Sequence, residues 1–271
     1  MKALVRFYTY LNILSIDVAL GSVICAVFFA NIFNVSILPY GMCALALTVW
    51  VIYTADHLRD AMLIEGEAAS ARHKFHQQKK VVLGAAMGVA IVINLILLFY
   101  IRRELLFAGL LLAAAVVVYL LFQRRFFYGK EIFVSAIYTV GVLLPSLVST
   151  TGWLPAEHIL AIIAFFLVAL INLYLFSFFD HERDKRDRLF SFVTFVGIRK
   201  ARNFLAWQFV IFFVIACWHL LLTGFSLPSL CILCMGTILL SLFLGQSFFT
   251  KDDRFRLIGD AIFFIPLISL F

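Results

Sequence analysis

The chain has 271 residues, 64% of them hydrophobic and 14% charged, with a mean hydropathy of +1.06 and a formal net charge of +7. A water-soluble domain of this length cannot hide so much apolar surface, so the composition excludes one and calls for a polytopic membrane protein. The basic excess does not point to a nucleic-acid partner, because the Lys and Arg residues lie between apolar runs, where they act as a topology signal.

Lys2 and Arg6 precede the first apolar run, which has the outline of a signal peptide. Asp17 interrupts that run and no small-residue cleavage site comes after it, so the segment is taken as a first transmembrane helix. A spanning helix needs about 20 mostly apolar residues. That rule predicts nine, near 8–31, 36–55, 81–101, 104–122, 131–149, 157–179, 205–223, 227–249 and 256–271. Pro145 and Pro266 are expected to kink the fifth and the ninth. No long polar linker divides the chain, so residues 1–271 are expected to form one all-α integral-membrane bundle, with pseudo-halves at about 1–125 and 126–271. Cys25, Cys43, Cys217, Cys231 and Cys234 all lie in apolar runs; the CxxC of Cys231 and Cys234 lacks a second pair or a nearby His, so these are packing residues.

With nine helices, 20 of the 22 Lys and Arg residues fall on one face and only Arg102 and Arg103 on the other. The positive-inside rule then places the N-terminus in the cytoplasm and the C-terminus on the opposite side, in a bacterial inner membrane. Two cytoplasmic loops, at about 56–80 and 180–204, are longer than the rest. Loops of that length are usually functional, and these are expected to form cap segments after helices two and six.

Each long loop starts with nearly the same string: Asp56-His57-Leu58-Arg59-Asp60 and Asp180-His181-Glu182-Arg183-Asp184. Residues i and i+4 are neighbours on a helix, so each string sets two carboxylates side by side, about 5–6 Å apart at Cβ. Mg²⁺ is held by one or two carboxylates together with substrate phosphates and water. Asp56 and Asp60 would hold one ion and Asp180 and Asp184 another, with a diphosphate bridging them and Asp187 assisting. A single such pair would be an ordinary interfacial charge cluster; two, at matching helix ends beside basic residues, indicate a site. Arg59 and Arg183 are spaced to contact the acids or a phosphate, whereas His57 and His181 read as interfacial polar residues, with an imidazole ligand or acid–base group as the alternative. Asp17, ionisable within a membrane run, serves either to handle an acceptor or to hold helices together. Asp260 reads as interfacial and His219 as packing.

These residues resemble the UbiA-type intramembrane prenyltransferases, which have nine transmembrane helices and Asp-rich motifs after the second and sixth. The family's NxxxDxxxD and DxxxD motifs match Asp56 and Asp60, and Asp180 and Asp184. The run DHERDKRDRLFSFVTFVG from Asp180 to Gly197 is similar to the family's second motif and its continuation to a glycine. The family's YxxxKR segment is matched by Tyr119-Leu120-Leu121-Phe122-Gln123-Arg124, with Arg124 and Arg125 left to neutralise phosphate. Ile52 stands where the family has asparagine, and Gln123 where it has lysine, which marks a divergent branch.

The resemblance implies Mg²⁺-dependent transfer of a prenyl group from a polyprenyl diphosphate to a membrane-soluble aromatic or lipid acceptor. The allylic cation needs a dry, aromatic-lined cavity, for which Tyr53, Tyr119 and Tyr138 are candidates. A membrane diphosphate phosphatase is an alternative, as is a non-catalytic lipid-binding or transport relative. Transport is disfavoured because the acids cluster at helix ends rather than at the midplane.

Overall fold

The computed structural model describes residues 2–122 and 129–270, and the regular elements among them are all helical. The first apolar run is not one span over 8–31. It divides into α1 (Lys2–Ile13) and α2 (Ile16–Ile32), whose axes meet at 86°, with Ser15 left-handed at the break (φ 55°). Asp17 supplies the physical reason. In mid-helix its carboxylate would find every backbone N–H already used. In the first turn of α2 it accepts the free Val18 N–H at 2.9 Å. The Trp50 indole N–H donates to the Leu14 carbonyl that the break releases, at 2.9 Å.

α3 (Pro39–Leu63) begins on a proline, where a missing N–H costs nothing, and carries the first aspartate string near its end. α4 (Ala71–Leu97) starts well before the expected residue 81. Ser70 caps it by accepting the His73 N–H at 3.1 Å. A non-helical Lys79 (φ −109°) separates its polar first turns from the apolar remainder. Next along the chain come α5 (Arg103–Phe122) and α6 (Lys130–Ser149). α6 continues as one helix through Pro145. The turn after the proline is held by Ser149 Oγ donating to the Pro145 carbonyl and Thr150 Oγ1 to the Ser146 carbonyl, each at 2.8 Å.

α7 (Ala156–Phe179) is the core helix, ending at Asp180 and leading into the short α8 (His181–Arg186) and α9 (Phe192–Val196). It buries Ala161, Ala164, Phe165, Val168, Ile171 and Leu175, a helical stripe with small residues where neighbours come close. α6, α10 (Ile198–Leu222) and α11 (Leu227–Leu244) pack around it. After α12 (Gln246–Phe249), the expected span over 256–271 is instead α13 (Arg254–Ala261) and a 3₁₀ segment, Ile262–Leu270, containing Pro266, which has no N–H for a helical bond.

Among the described residues six helices (α3, α4 with its 3₁₀ extension, α6, α7, α10 and α11) are long and apolar enough to cross a membrane, and the bent α1–α2 pair would make a seventh. Residues 64–70 and the α8 region touch each other. Asp187 Oδ2 accepts the Ala69 N–H at 3.1 Å, and Arg188 lies 3.8 Å from Glu65. Asp187 therefore ties one connection to the other.

Candidate active site

The two strings, 124 residues apart in the chain, converge on one cavity of about 190 Å³, and Asp56, Asp60, Asp180 and Asp184 all line it. Asp56 and Asp60 lie one turn apart on α3. Asp180 closes α7, donating its N–H to the Phe176 carbonyl at 2.9 Å, and its own carbonyl accepts the Asp184 N–H at 2.8 Å. That bond preserves the one-turn spacing across the junction into α8. The deeper wall is apolar and aromatic, with Val134, Ala169, Leu173, Phe176 and Phe263 beside Tyr53 and Tyr138.

Cations that spacing alone did not identify sit among these acids. Lys130, at the start of α6, lies 3.7 Å from Asp60. Arg256, on α13, pairs with Asp180 and also approaches the Phe176 and Phe255 rings, at 5.6 and 5.3 Å from their centroids. Arg183 reaches Asp180 at 3.5 Å but donates to Asp253 at 2.6 Å. Asp56 Oδ1 is buried without a hydrogen-bond partner. Burial pushes the Asp184 carboxyl up to about 7, with the charge of Asp180 adding to the shift; Arg256, a Ser191 hydrogen bond and Lys130 act against it.

A second, wider basin of about 450 Å³ shares Asp60, Lys130, Leu189 and Phe190 with the first and adds Arg59, Arg186, Asp187 and Arg188. The site therefore has a basic mouth, an acidic throat and an apolar end.

A buried network backs the cavity. The Asn12 amide nitrogen donates to Asp17 Oδ2 and to Asp260 Oδ2, both at 2.6 Å. Arg72 donates to the Asn12 carbonyl at 3.2 Å, to Asn12 Oδ1 at 2.8 Å and to His57 Nε2 at 3.2 Å, and it lies 3.6 Å from Asp260. Because a guanidinium only donates, His57 Nε2 is the acceptor and its proton sits on Nδ1. Arg72, His57 and Asp260 all line the cavity. Two interfacial readings are thus corrected: His57 is part of the wall, and Asp260 is 5% exposed and faces the site.

The other expected residues divide. Tyr53 and Tyr138 reach the cavity. Tyr119 does not line it; its ring is buried and stacks on Phe133 of α6, 5.0 Å between centroids. Asp17 is fully buried and does not line the cavity; Asn12 links it to Asp260. Arg59 stands in the outer basin. His181 does not line the cavity and lies 3.9 Å from the exposed Glu182. Arg124 and Arg125 lie outside the described residues. Of the residues that were missed, Arg256 and Asp260 carried a legible signal, an i,i+4 pair of opposite charge opening an apolar run. Lys130 and Arg72 carried none.

No protein-family model matches this chain, and no curated protein matches it. Solved structures do. A UbiA homologue from Archaeoglobus fulgidus bound to DMAPP and Mg²⁺ superposes with a TM-score of 0.64 at 14% identity, covering 96% of this chain and 98% of that one. The structure of a UbiA homologue from the same organism bound to GPP and Mg²⁺ gives 0.64 at 15% identity over 96% and 99%. A Cd²⁺-bound structure gives 0.58 at 16% over 96% and 98%. Over nearly the whole length, then, the chain adopts a divergent UbiA-type fold.

Proposed function

We propose that this chain, built on the UbiA-type fold, is an integral-membrane prenyltransferase. It would move a prenyl group from a polyprenyl diphosphate to a membrane-soluble aromatic or lipid acceptor. The observation that carries the reading is the convergence of four aspartates from two distant strings on one cavity whose far end is apolar and aromatic. A diphosphate head suits the charged throat, and a prenyl tail suits the apolar end. The UbiA homologues of the same fold bound to DMAPP, GPP and Mg²⁺ support it.

The donor set fits a divalent cation that arrives with a diphosphate. Among the described residues no three His, Cys, Asp or Glu side chains lie close enough to hold an ion alone. Mg²⁺ needs only one or two carboxylates when phosphate and water complete its shell. Asp56, with its unpartnered buried oxygen, and Asp60 would serve as one pair, with Asp180 and Asp184 as the other. Mg²⁺ bound there supplies Lewis-acid stabilisation of charge on the diphosphate.

The protein's own groups account for the rest. Lys130 and Arg256 would exchange carboxylate partners for diphosphate oxygens as the allylic C–O bond breaks and its electron pair leaves with the diphosphate. Arg59 would draw the anion in through the basic mouth, and Arg183 would hold Asp180. Tyr53, Tyr138, Phe176 and Phe263 would enclose the allylic cation, exclude water and offer ring faces to the charge. Residues 64–70 and the α8–α9 region would close over the helix ends on the cytoplasmic side. Binding of a non-hydrolysable prenyl thiodiphosphate to the protein in lipid nanodiscs tests the proposal. It should require Mg²⁺ and weaken strongly in Asp56→Ala and Asp180→Ala; metal-independent binding, unchanged in both variants, would remove the site.

A further inference from the structure

The buried network behind the cavity holds one more negative charge than positive. Within it Asp17 and Asp260 share one guanidinium, Arg72, the nearby Arg256 being paired with Asp180, while His57 accepts from Arg72 and so contributes no charge through that nitrogen. The two carboxylates are not equivalent. Asp17 is sealed, with Oδ1 on the Val18 N–H and Oδ2 on Asn12. Asp260 is held at Oδ2 by Asn12 and flanked by Arg72, but it lines the cavity. The excess charge is therefore presented to the cavity at Asp260, on a rigid mount, toward its aromatic end.

The uncharged polar groups at that end point the same way. Tyr138 Oη, Asn172 Oδ1 and Ser177 Oγ all belong to cavity-lining residues, and all are buried without hydrogen-bond partners. Asn172 lies against Gly259, next to Asp260; a Cβ on that glycine would come 2.6 Å from Asn172 Oδ1. Among the described residues each Lys and Arg of the cavity wall has a carboxylate partner: Lys130 with Asp60, Arg256 with Asp180 and Arg72 with Asp260. With Lys130 and Arg256 taken by the donor diphosphate and Arg72 held by Asp260, Asn12 and His57, no cation of the described cavity wall is left to receive an acceptor carboxylate, whereas a neutral hydroxyl finds acceptors and donors waiting.

Building on the prenyl-transfer reading, we propose that Asp260 is the proton acceptor for a neutral, hydroxyl-bearing acceptor held by Tyr138 and Asn172. The acceptor's oxygen or ring carbon bonds to the allylic carbon, the C–O bond to the diphosphate breaks with its electron pair leaving on the diphosphate, and the acceptor's proton passes to the Asp260 carboxylate. Asn12 and Arg72 are positioning residues that aim this carboxylate. The titratable and charged groups facing Asp260 are Tyr8, Asp17, Tyr53, Arg72, Tyr138 and Arg256.

The test uses the full-length protein in nanodiscs with geranyl diphosphate, Mg²⁺ and either hydroquinone or its carboxylated counterpart, 2,5-dihydroxybenzoate. Hydroquinone should be preferred at least about tenfold in kcat/KM, and parity or a preference for the carboxylate overturns the acceptor class. Asp260→Asn should lower kcat by about 100-fold or more, the usual worth of a general base, while Mg²⁺-dependent binding of the thiodiphosphate stays as in wild type. A loss of less than about threefold refutes the role. Should the amide variant not fold, Asp260→Glu keeps the charge and the Arg72 pairing; it should retain partial turnover with the acid limb of its kcat profile displaced, and a profile coincident with wild type refutes the role. Failure of the wild type to bind the thiodiphosphate with Mg²⁺ would instead overturn the prenyl-transfer reading, and this inference with it.

Discussion

Replacing Arg72 by methionine removes the one cation of the network while keeping most of the side chain's length. Arg72 is 7% exposed, and its hydrogen bonds to the Asn12 carbonyl, Asn12 Oδ1 and His57 Nε2, with the 3.6 Å approach to Asp260, tie α4 to α1, α3 and α13 at once. Without it two carboxylates share one amide donor inside the bundle. Removing one partner of a buried ion pair costs about 3–5 kcal/mol, because the remaining charge is left uncompensated. A double-mutant cycle isolates that part. Arg72→Met/Asp260→Asn no longer strands the Asp260 charge, so the pair should be about 1–3 kcal/mol less destabilised than the sum of the two single variants, as contacting residues in one network are. The assay is unfolding of the purified protein in detergent, monitored by helical circular dichroism, for wild type, both singles and the double. A cost below about 1 kcal/mol for Arg72→Met, or strict additivity in the cycle, would show that the network is not what holds α1 against α13.

The same geometry sets three further outcomes. Asp184 holds its proton to about pH 7 because burial and Asp180 oppose its charge. Mg²⁺ affinity, measured by calorimetry with the thiodiphosphate present, should therefore rise through pH 7 and flatten above it, and Asp184→Asn should abolish that rise. For the apo protein the sign is opposite: the folded state keeps a proton that the unfolded chain gives up near 3.8, so this group's contribution to stability falls as pH climbs from about 4 to 7. Lys130→Gln should weaken donor binding by about 10- to 150-fold, the equivalent of about 1.5–3 kcal/mol for a bond to a charged group, read as the donor Kd in nanodiscs. Gly259→Ala puts a methyl group 2.6 Å from both Asn172 Oδ1 and a Phe176 ring carbon, so it should cost about 1–3 kcal/mol by overpacking and raise the acceptor KM, with the Phe176→Leu background recovering stability.

The amino-acid sequence by itself determined the class of molecule and where its chemistry lies. Apolar runs of spanning length are a local property, so α3, α6, α7, α10 and α11 were legible from composition and length alone. The one-turn spacing of Asp56 and Asp60 and of Asp180 and Asp184 was legible for the same reason, since i,i+4 neighbours on a helix need no tertiary information. Only the tertiary structure decided which residues face them. The 86° break at Ser15 swings Asn12 against Asp260, whose residue numbers differ by 248, and so turns an apparently interfacial acid into a mounted, cavity-facing carboxylate. Lys130, Arg72 and Arg256 stand at the starts of three helices, where a lone cation looks like any membrane-boundary charge. The difference from such charges is the carboxylate each one meets across the bundle. That partner is set by how α3, α4, α6, α7 and α13 pack, because burial makes a charge's energy depend on its neighbours in space rather than along the chain.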